Sequence, residues 1–452
     1  MNDCNILHYT IGLNKNRGGG LTKYVDDLSN YQSINNNVII LYPGEYGIFN
    51  KKIKIKEEKP IGNKKIYSIK NPLSLPMMFG LKDFDYLNKK SDIEMWKKFL
   101  ITNNVSIIHM HTLMGIYSEF ILAAHELKIP LIYTTHDYFG LCSKQTLVFN
   151  GKICNNWESC TNCPLCNSTA FPKWKTFLIH SRIFFVARKF EVFKKLKSKA
   201  KKVIDTNNQN SSNCDVSYYK NLRKKMIELF NLMDTIHFNS SITEFVFRKA
   251  IPNINGEVIN LVHNDILDNR TLKEYSSDIL RVTYLGPTTK IKGFDDVINA
   301  MDKIYLTNKK IELNIYSYTE IDRPYLKKNG VSYKYSDLKE IFEKSDVLVA
   351  VSKNYETFGF TVSEALSYGV PAIVSDTLGA KDMIKNGLNG YIIKSDELVT
   401  TIGMIANNKK KLQKMNKYIC DSSFYNFEDH CKDIYRLYKK NIDLKKNNIE
   451  KK

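Results

Sequence analysis

Short apolar runs alternate with amphipathic stretches along most of the chain. Residues 6–10, 38–41, 105–111, 131–136, 235–238 and 258–261 read as buried strands. Helical spacing follows the first of them at 21–28 and fills 117–127 between the third and fourth. Strands that alternate with helices predict a parallel sheet with helices on its faces. A polar stretch at 264–278 interrupts the pattern. It resumes at 280–286 and runs through 313–316, 347–351 and 372–375 to about residue 393. The chain therefore reads as α/β in class, with the motif doubled. Residues 424–440 form an amphipathic helix with Phe427, Ile434, Leu437 and Tyr438 on one side.

The most informative segment follows the apolar run 347–351. Glu356 and Glu364 stand eight positions apart, separated by Thr357, Phe358, Gly359 and Phe360 and the start of a helical pattern. Such a strand–loop–helix corner is where parallel α/β proteins place ligands. Its backbone amides and helix N-terminus favour an anion. On one helix the two carboxylates would be about 12 Å apart along the axis. Paired hydrolase carboxylates stand about 5–9.5 Å apart. Two grips on one elongated ligand, bearing phosphate and hydroxyls, fit better than an acid/base pair. The bland alternative is two glutamates in a first helical turn, where they complement the dipole.

This segment resembles the signature of glycosyltransferase family 4 (group 1). The resemblance implies a GT-B fold, two Rossmann-like domains facing a central cleft, with a C-terminal helix crossing back. It implies an acceptor-side domain over 1–265 with an insertion at about 140–215. A nucleotide-sugar-binding domain would span 266–405, and helices at 406–452 would pack back towards the first domain. It also implies retaining transfer from a nucleotide-diphosphate sugar, UDP- or GDP-linked, with no catalytic metal. Glu356 would contact the donor sugar, and Glu364 the ribose hydroxyls. The loop from Thr357 through Phe358, Gly359 and Phe360 would lie near the sugar and diphosphate.

Three further places match the family. Gly18, Gly19 and Gly20 lie between a strand and a helix, where glycines let the backbone approach an anion; on sequence alone they are equally a flexible turn. Lys292 and Gly293 resemble the family's Lys-Gly pair, whose lysine neutralises the leaving diphosphate. Members often carry an arginine just after the first glycine of this loop; here Pro287 follows Gly286, and Lys290 is the substitute cation. His136 ends a strand, pointing towards the cleft, and resembles the histidine that hydrogen-bonds the donor sugar. Read without that context it is a structural histidine. His111 is a second cleft-lining candidate.

The chain of 452 residues carries a net charge of +20, which favours anionic partners or a lysine-rich solvated surface. Five of its nine cysteines fall between Cys142 and Cys166. Cys154, Cys160, Cys163 and Cys166 have spacing that fits a structural zinc, an iron–sulfur cluster or reduced thiols. The basic, aromatic segment 171–202 suits either an anionic membrane surface or core packing. The leading expectation is a cytoplasmic glycosyltransferase at the inner face of the cell membrane. Its partners would be a nucleotide-sugar donor and a lipid-linked or saccharide acceptor, in cell-surface polysaccharide or glycolipid assembly. Nucleic acid is an unexpected partner. Two rivals are a zinc-containing nucleic-acid-binding protein and a catalytically silent sugar-binding relative.

Overall fold

The computed structural model describes residues 4–47, 50–76, 80–154, 158–172, 174–176 and 216–450. The basic segment 171–202 therefore lies outside the described residues, apart from 171, 172 and 174–176. Among the described residues no helix is long and apolar enough to cross a membrane.

Two sheets form. The first uses β1 (Asn5–Tyr9), β2 (Asn37–Pro43), β3 (Lys54–Ile61), β4 (Lys64–Lys70), β5 (Ile107–Met110) and β6 (Leu131–Thr134), then β9 (Thr235–Phe238) and β10 (Gly256–Val258). Its order is β10-β9-β6-β5-β1-β2-β4-β3, with only β3 antiparallel to its neighbour. A small hairpin, β7 (Val148–Phe149) and β8 (Lys152–Ile153), stands apart. The second sheet contains β11 (Leu280–Tyr284), β12 (Ile311–Ile315), β13 (Leu326–Lys328), β14 (Val347–Ala350), β15 (Ala372–Ser375) and β16 (Gly390–Ile393). Its order is β13-β12-β11-β14-β15-β16, all parallel. The β3–β4 hairpin is absent from the pattern reading because lysines crowd its alternation. A lysine-rich, largely exposed strand also protects an open sheet edge from pairing with other chains.

The chain ends in the helix Phe427–Glu450. Phe427, Ile434, Leu437 and Tyr438 are all buried, as the spacing predicts. They pack with Ile6, Tyr24 and Leu28 of the first unit, Ile259 and Val262 where the chain leaves it, and Phe358 of the second unit. One apolar cluster thus joins three parts of the chain. This is the GT-B arrangement: two parallel α/β units with a terminal helix that returns to the first.

Candidate active site

The first unit contributes the C-terminal edges of its central strands. The loop after β1 ends at Gly18–Gly20, and the helix Gly20–Gln32 begins there. All three glycines are exposed. A Cβ placed on Gly20 would stand 3.4 Å from the Phe360 ring of the second unit. The glycine loop therefore lies directly across from the Glu356–Glu364 segment. His136, two residues beyond β6, is half-buried. Its Nε2 lies 3.1 Å from His111 Nδ1, and its carbonyl accepts a 3.1 Å hydrogen bond from Thr357 Oγ1. The Thr357 carbonyl accepts in turn from the Ser240 hydroxyl at 2.7 Å. The loop between the glutamates is thus clamped to the first unit from both sides.

The second unit positions Glu356 through its backbone. Glu356 N–H donates to Thr377 O at 3.0 Å, and Gly379 N–H donates to Glu356 O at 2.9 Å. Glu356 Oε1 lies 2.5 Å from Lys292 Nζ. Lys292 sits on the short turn Lys290–Lys292, closed by Gly293 at φ 67°. A Cβ on Gly293 would meet Val351 Cγ2 at 2.7 Å, so both backbone hand and space demand glycine there. The Tyr284 hydroxyl lies 2.9 Å from Pro287 O and 3.1 Å from Lys292 O, tying the two ends of this loop together. Lys290 opens the same turn with its side chain exposed. The helix Phe360–Leu366 starts after Gly359, whose φ is 124°. Phe358 is turned into the apolar cluster beneath the cleft, which leaves its backbone, not its ring, on the loop surface.

Glu364 is almost fully buried. Its Oε1 lies 3.6 Å from His263 Nε2, and its Oε2 has no hydrogen-bond partner. His263 Nδ1 accepts from Asp265 N–H at 3.3 Å, so its other nitrogen carries the proton and faces the carboxylate. Tyr335 and Phe360 pack edge-on against the His263 ring. The sequence pattern brings out Glu364 but not His263, which lies just before the polar stretch 264–278 and carries no local signal. Burial pushes the carboxyl of Asp137, next to His136, up to about 7, opposed by the hydrogen bond from Phe139 N–H.

Behind His136 lies a larger group that the sequence reading named only in part. His8, His109, His111, His237 and His430 are all fully buried. Among the described residues His8, His109 and His111 are the one set of three or more ligand-type side chains gathered within metal-binding reach. Their nitrogens are already engaged. His8 Nε2 meets Gln32 Oε1 at 2.7 Å, and His8 Nδ1 meets His111 Nε2 at 3.0 Å. His109 is held by Tyr438 OH and Thr134 Oγ1, both at 2.6 Å. The arrangement is a hydrogen-bonded network.

The zinc expected at Cys154, Cys160, Cys163 and Cys166 is not supported, and neither is a cluster. Cys163 and Cys160 pair, and the hydrogen bond from the Cys163 thiol lowers Cys160 to about 7. Cys166 instead donates to Val148 O at 3.7 Å, and burial raises it to about 11. Among the described residues no three of these thiols gather within metal-binding reach of one another.

Two parallel α/β units and a return helix define the class of fold, GT-B, and a lysine–glutamate pair and a loop clamped against a strand-end histidine lie where the two units meet. Residues 276–420 match the family Glycosyl transferases group 1. A Klebsiella pneumoniae protein named "Uncharacterized 41.2 kDa protein in cps region" is 24% identical over 289 residues, covering 60% of this chain and 80% of that protein. Sucrose-phosphate synthase from Thermosynechococcus elongatus superposes with a TM-score of 0.58 at 14% identity, over 97% of this chain and 98% of that one. Anabaena HepE, solved in complex with UDP-glucose, gives a TM-score of 0.54 at 13% identity, over 96% and 99% of the two chains.

Proposed function

We propose that this protein moves a sugar, with retention at the anomeric carbon, from a UDP- or GDP-sugar to a saccharide or lipid-linked hydroxyl. The observation that carries the reading is the Lys292–Glu356 pair at 2.5 Å, opposite Gly18–Gly20 and beside the Thr357–His136 clamp. A cation and a carboxylate that hold each other give up that contact to a ligand with a diphosphate at one end and hydroxyls at the other. Lys292 then stabilises the charge that develops on the departing diphosphate. Glu356 and His136 orient the sugar, and Glu364, buried with one free oxygen, takes the ribose hydroxyls. The acceptor oxygen bonds to the anomeric carbon on the face from which the nucleoside diphosphate leaves. The proton of that hydroxyl passes to the departing phosphate oxygen, so no separate base is needed.

The solved complex of Anabaena HepE with UDP-glucose supports a UDP-linked donor. The cps-region relative and the net charge of +20 support an acceptor in cell-surface polysaccharide or glycolipid assembly, met at the inner face of the membrane. The test is thermal unfolding with a panel of UDP- and GDP-sugars. A matching donor at 100 times its Kd stabilises the fold by about 2.7 kcal/mol. That gain is lost in Glu364→Ala. No shift with any nucleotide-sugar overturns the reading, and an unchanged shift in the variant overturns the ribose assignment. Product formation with a hydroxyl acceptor rules out a silent relative.

A further inference from the structure

The buried histidines have a direction, and it can be read from one fixed end. The carbonyl of Ile259 can only accept, and His237 Nε2 lies 2.7 Å from it. His237 Nε2 therefore carries the proton, and its Nδ1 is a lone pair. Thr134 Oγ1, 2.8 Å away, must donate its single proton to that Nδ1. The Thr134 oxygen is then free only to accept, so His109 Nε2 donates to it. His109 Nδ1 is left as a lone pair and takes the proton of the Tyr438 hydroxyl. The Tyr438 oxygen in turn accepts from Gln32 Nε2 at 3.4 Å. That sets the amide of Gln32 with its Oε1 towards His8.

From Gln32 the same logic continues outwards. His8 Nε2–H donates to Gln32 Oε1, so His8 Nδ1 accepts from His111 Nε2–H. His111 Nδ1 then accepts from His136 Nε2–H. The chain ends there: no partner for His136 Nδ1 exists among the described residues, and His136 is the half-buried member beside the loop of Thr357. Burial keeps the rings neutral. It holds His8 and His237 at about 4 and His136 at about 3, and with the help of neighbouring imidazoles it drives His109 and His111 well below the ordinary histidine value.

We propose that this one directional chain, anchored on the Ile259 carbonyl and running through four further imidazoles, fixes His136 as its Nε2–H tautomer and leaves its Nδ1 an acceptor only. The inference rests on the reading of His136 as a donor-sugar contact. It deepens that reading, because the group His136 meets must then be a hydroxyl that donates, not a carbonyl or phosphate oxygen. Gln32, His8, His111 and Tyr438 become positioning residues. Gln32 is the switch, since turning its amide over would reverse every bond beyond it and present an N–H to the substrate. The terminal helix takes part directly through Tyr438.

The test is nitrogen NMR of the intact protein labelled at the imidazole nitrogens of histidine, with the His136 signals assigned from a His136→Gln spectrum. The expected result is a protonated Nε2 and a bare Nδ1 on His136. In Gln32→Met, His8 loses its acceptor, the chain reverses, and the Nδ1–H form of His136 appears. Transfer measured as kcat/KM then falls about tenfold, the cost of one mismatched hydrogen bond. In Gln32→Glu the carboxylate still accepts from His8 and the wild-type tautomer persists, an outcome that a merely structural role for Gln32 does not produce. A protonated Nδ1 on wild-type His136 overturns the proposal, as does a tautomer unmoved in Gln32→Met. Should the variants fail to fold, the wild-type spectrum decides alone. Failure of nucleotide-sugars to stabilise the protein would sink the glycosyl-transfer reading and leave the spectrum intact, so the two failures are distinguishable.

Discussion

At the scale of single residues, Lys292 and Glu356 are the pair whose chemistry and stability separate most cleanly. They stand 2.5 Å apart, and their side chains are 33% and 22% exposed. An ion pair that wet adds at most about 1 kcal/mol to the fold. In the proposed role against a departing diphosphate the same lysine would be worth far more, because that charge develops only in the transition state. Lys292→Met should therefore leave the melting temperature within a few degrees of wild type. It should lower kcat by about 100-fold or more, as steady-state transfer would show. A loss of folding equal to the loss of activity would contradict that role. The two glutamates were legible in the sequence because strand, loop and helix are local there. The partner of Glu364 was not: His263 lies about a hundred residues earlier and arrives only through the fold.

At the scale of elements, the edge of the first sheet concentrates histidines to a degree that sets the protein's response to acid. His8, His109 and His237 lie in β1, β5 and β9, and His111 and His136 follow β5 and β6. His430 comes from the terminal helix, and burial holds it at about 3. All six are neutral in the folded state and charge on unfolding. A depressed folded pKa means that the unfolded chain binds more protons. Stability is then complete above the ordinary histidine value of about 6.5 and falls as pH drops towards 4. Each ring contributes up to about 1.4 kcal/mol per pH unit in that window. Asp137 runs the other way: its raised value stabilises at low pH and is lost as pH rises through about 7. One carboxyl against six imidazoles does not change the sign. The melting temperature should drop steeply between pH 6.5 and 5; a flat profile there would show that the rings are not held neutral.

At the scale of the whole molecule, one apolar cluster joins both units and the return helix. Leu437 and Ile434 are fully buried in it, with Phe358 from the site loop. Leu437→Ala should cost about 2–5 kcal/mol, the range for a buried leucine that leaves a cavity. The measurement is denaturant unfolding, with the midpoint moving to lower concentration. Because Phe358 shares the cluster, transfer should weaken in the same variant at temperatures where it is still folded.

The sequence by itself determined the α/β class, the doubled motif and the amphipathic return helix, because the periods that encode them span only a few residues. It also carried the E-x7-E corner, the Gly18–Gly20 loop, Lys292 with Gly293, and His136, each of which sits at a strand end. Only the tertiary structure decided which of these meet. Strand order brings β1 beside β5, β5 beside β6 and β6 beside β9, and so stacks histidines from four separate stretches of chain. Among the described residues it does not bring three of the cysteines within metal-binding reach, although their spacing fits a metal site. Spacing reports which side chains share one element. Convergence across elements depends on sheet order and on the path of the terminal helix, and those are settled by packing over hundreds of residues.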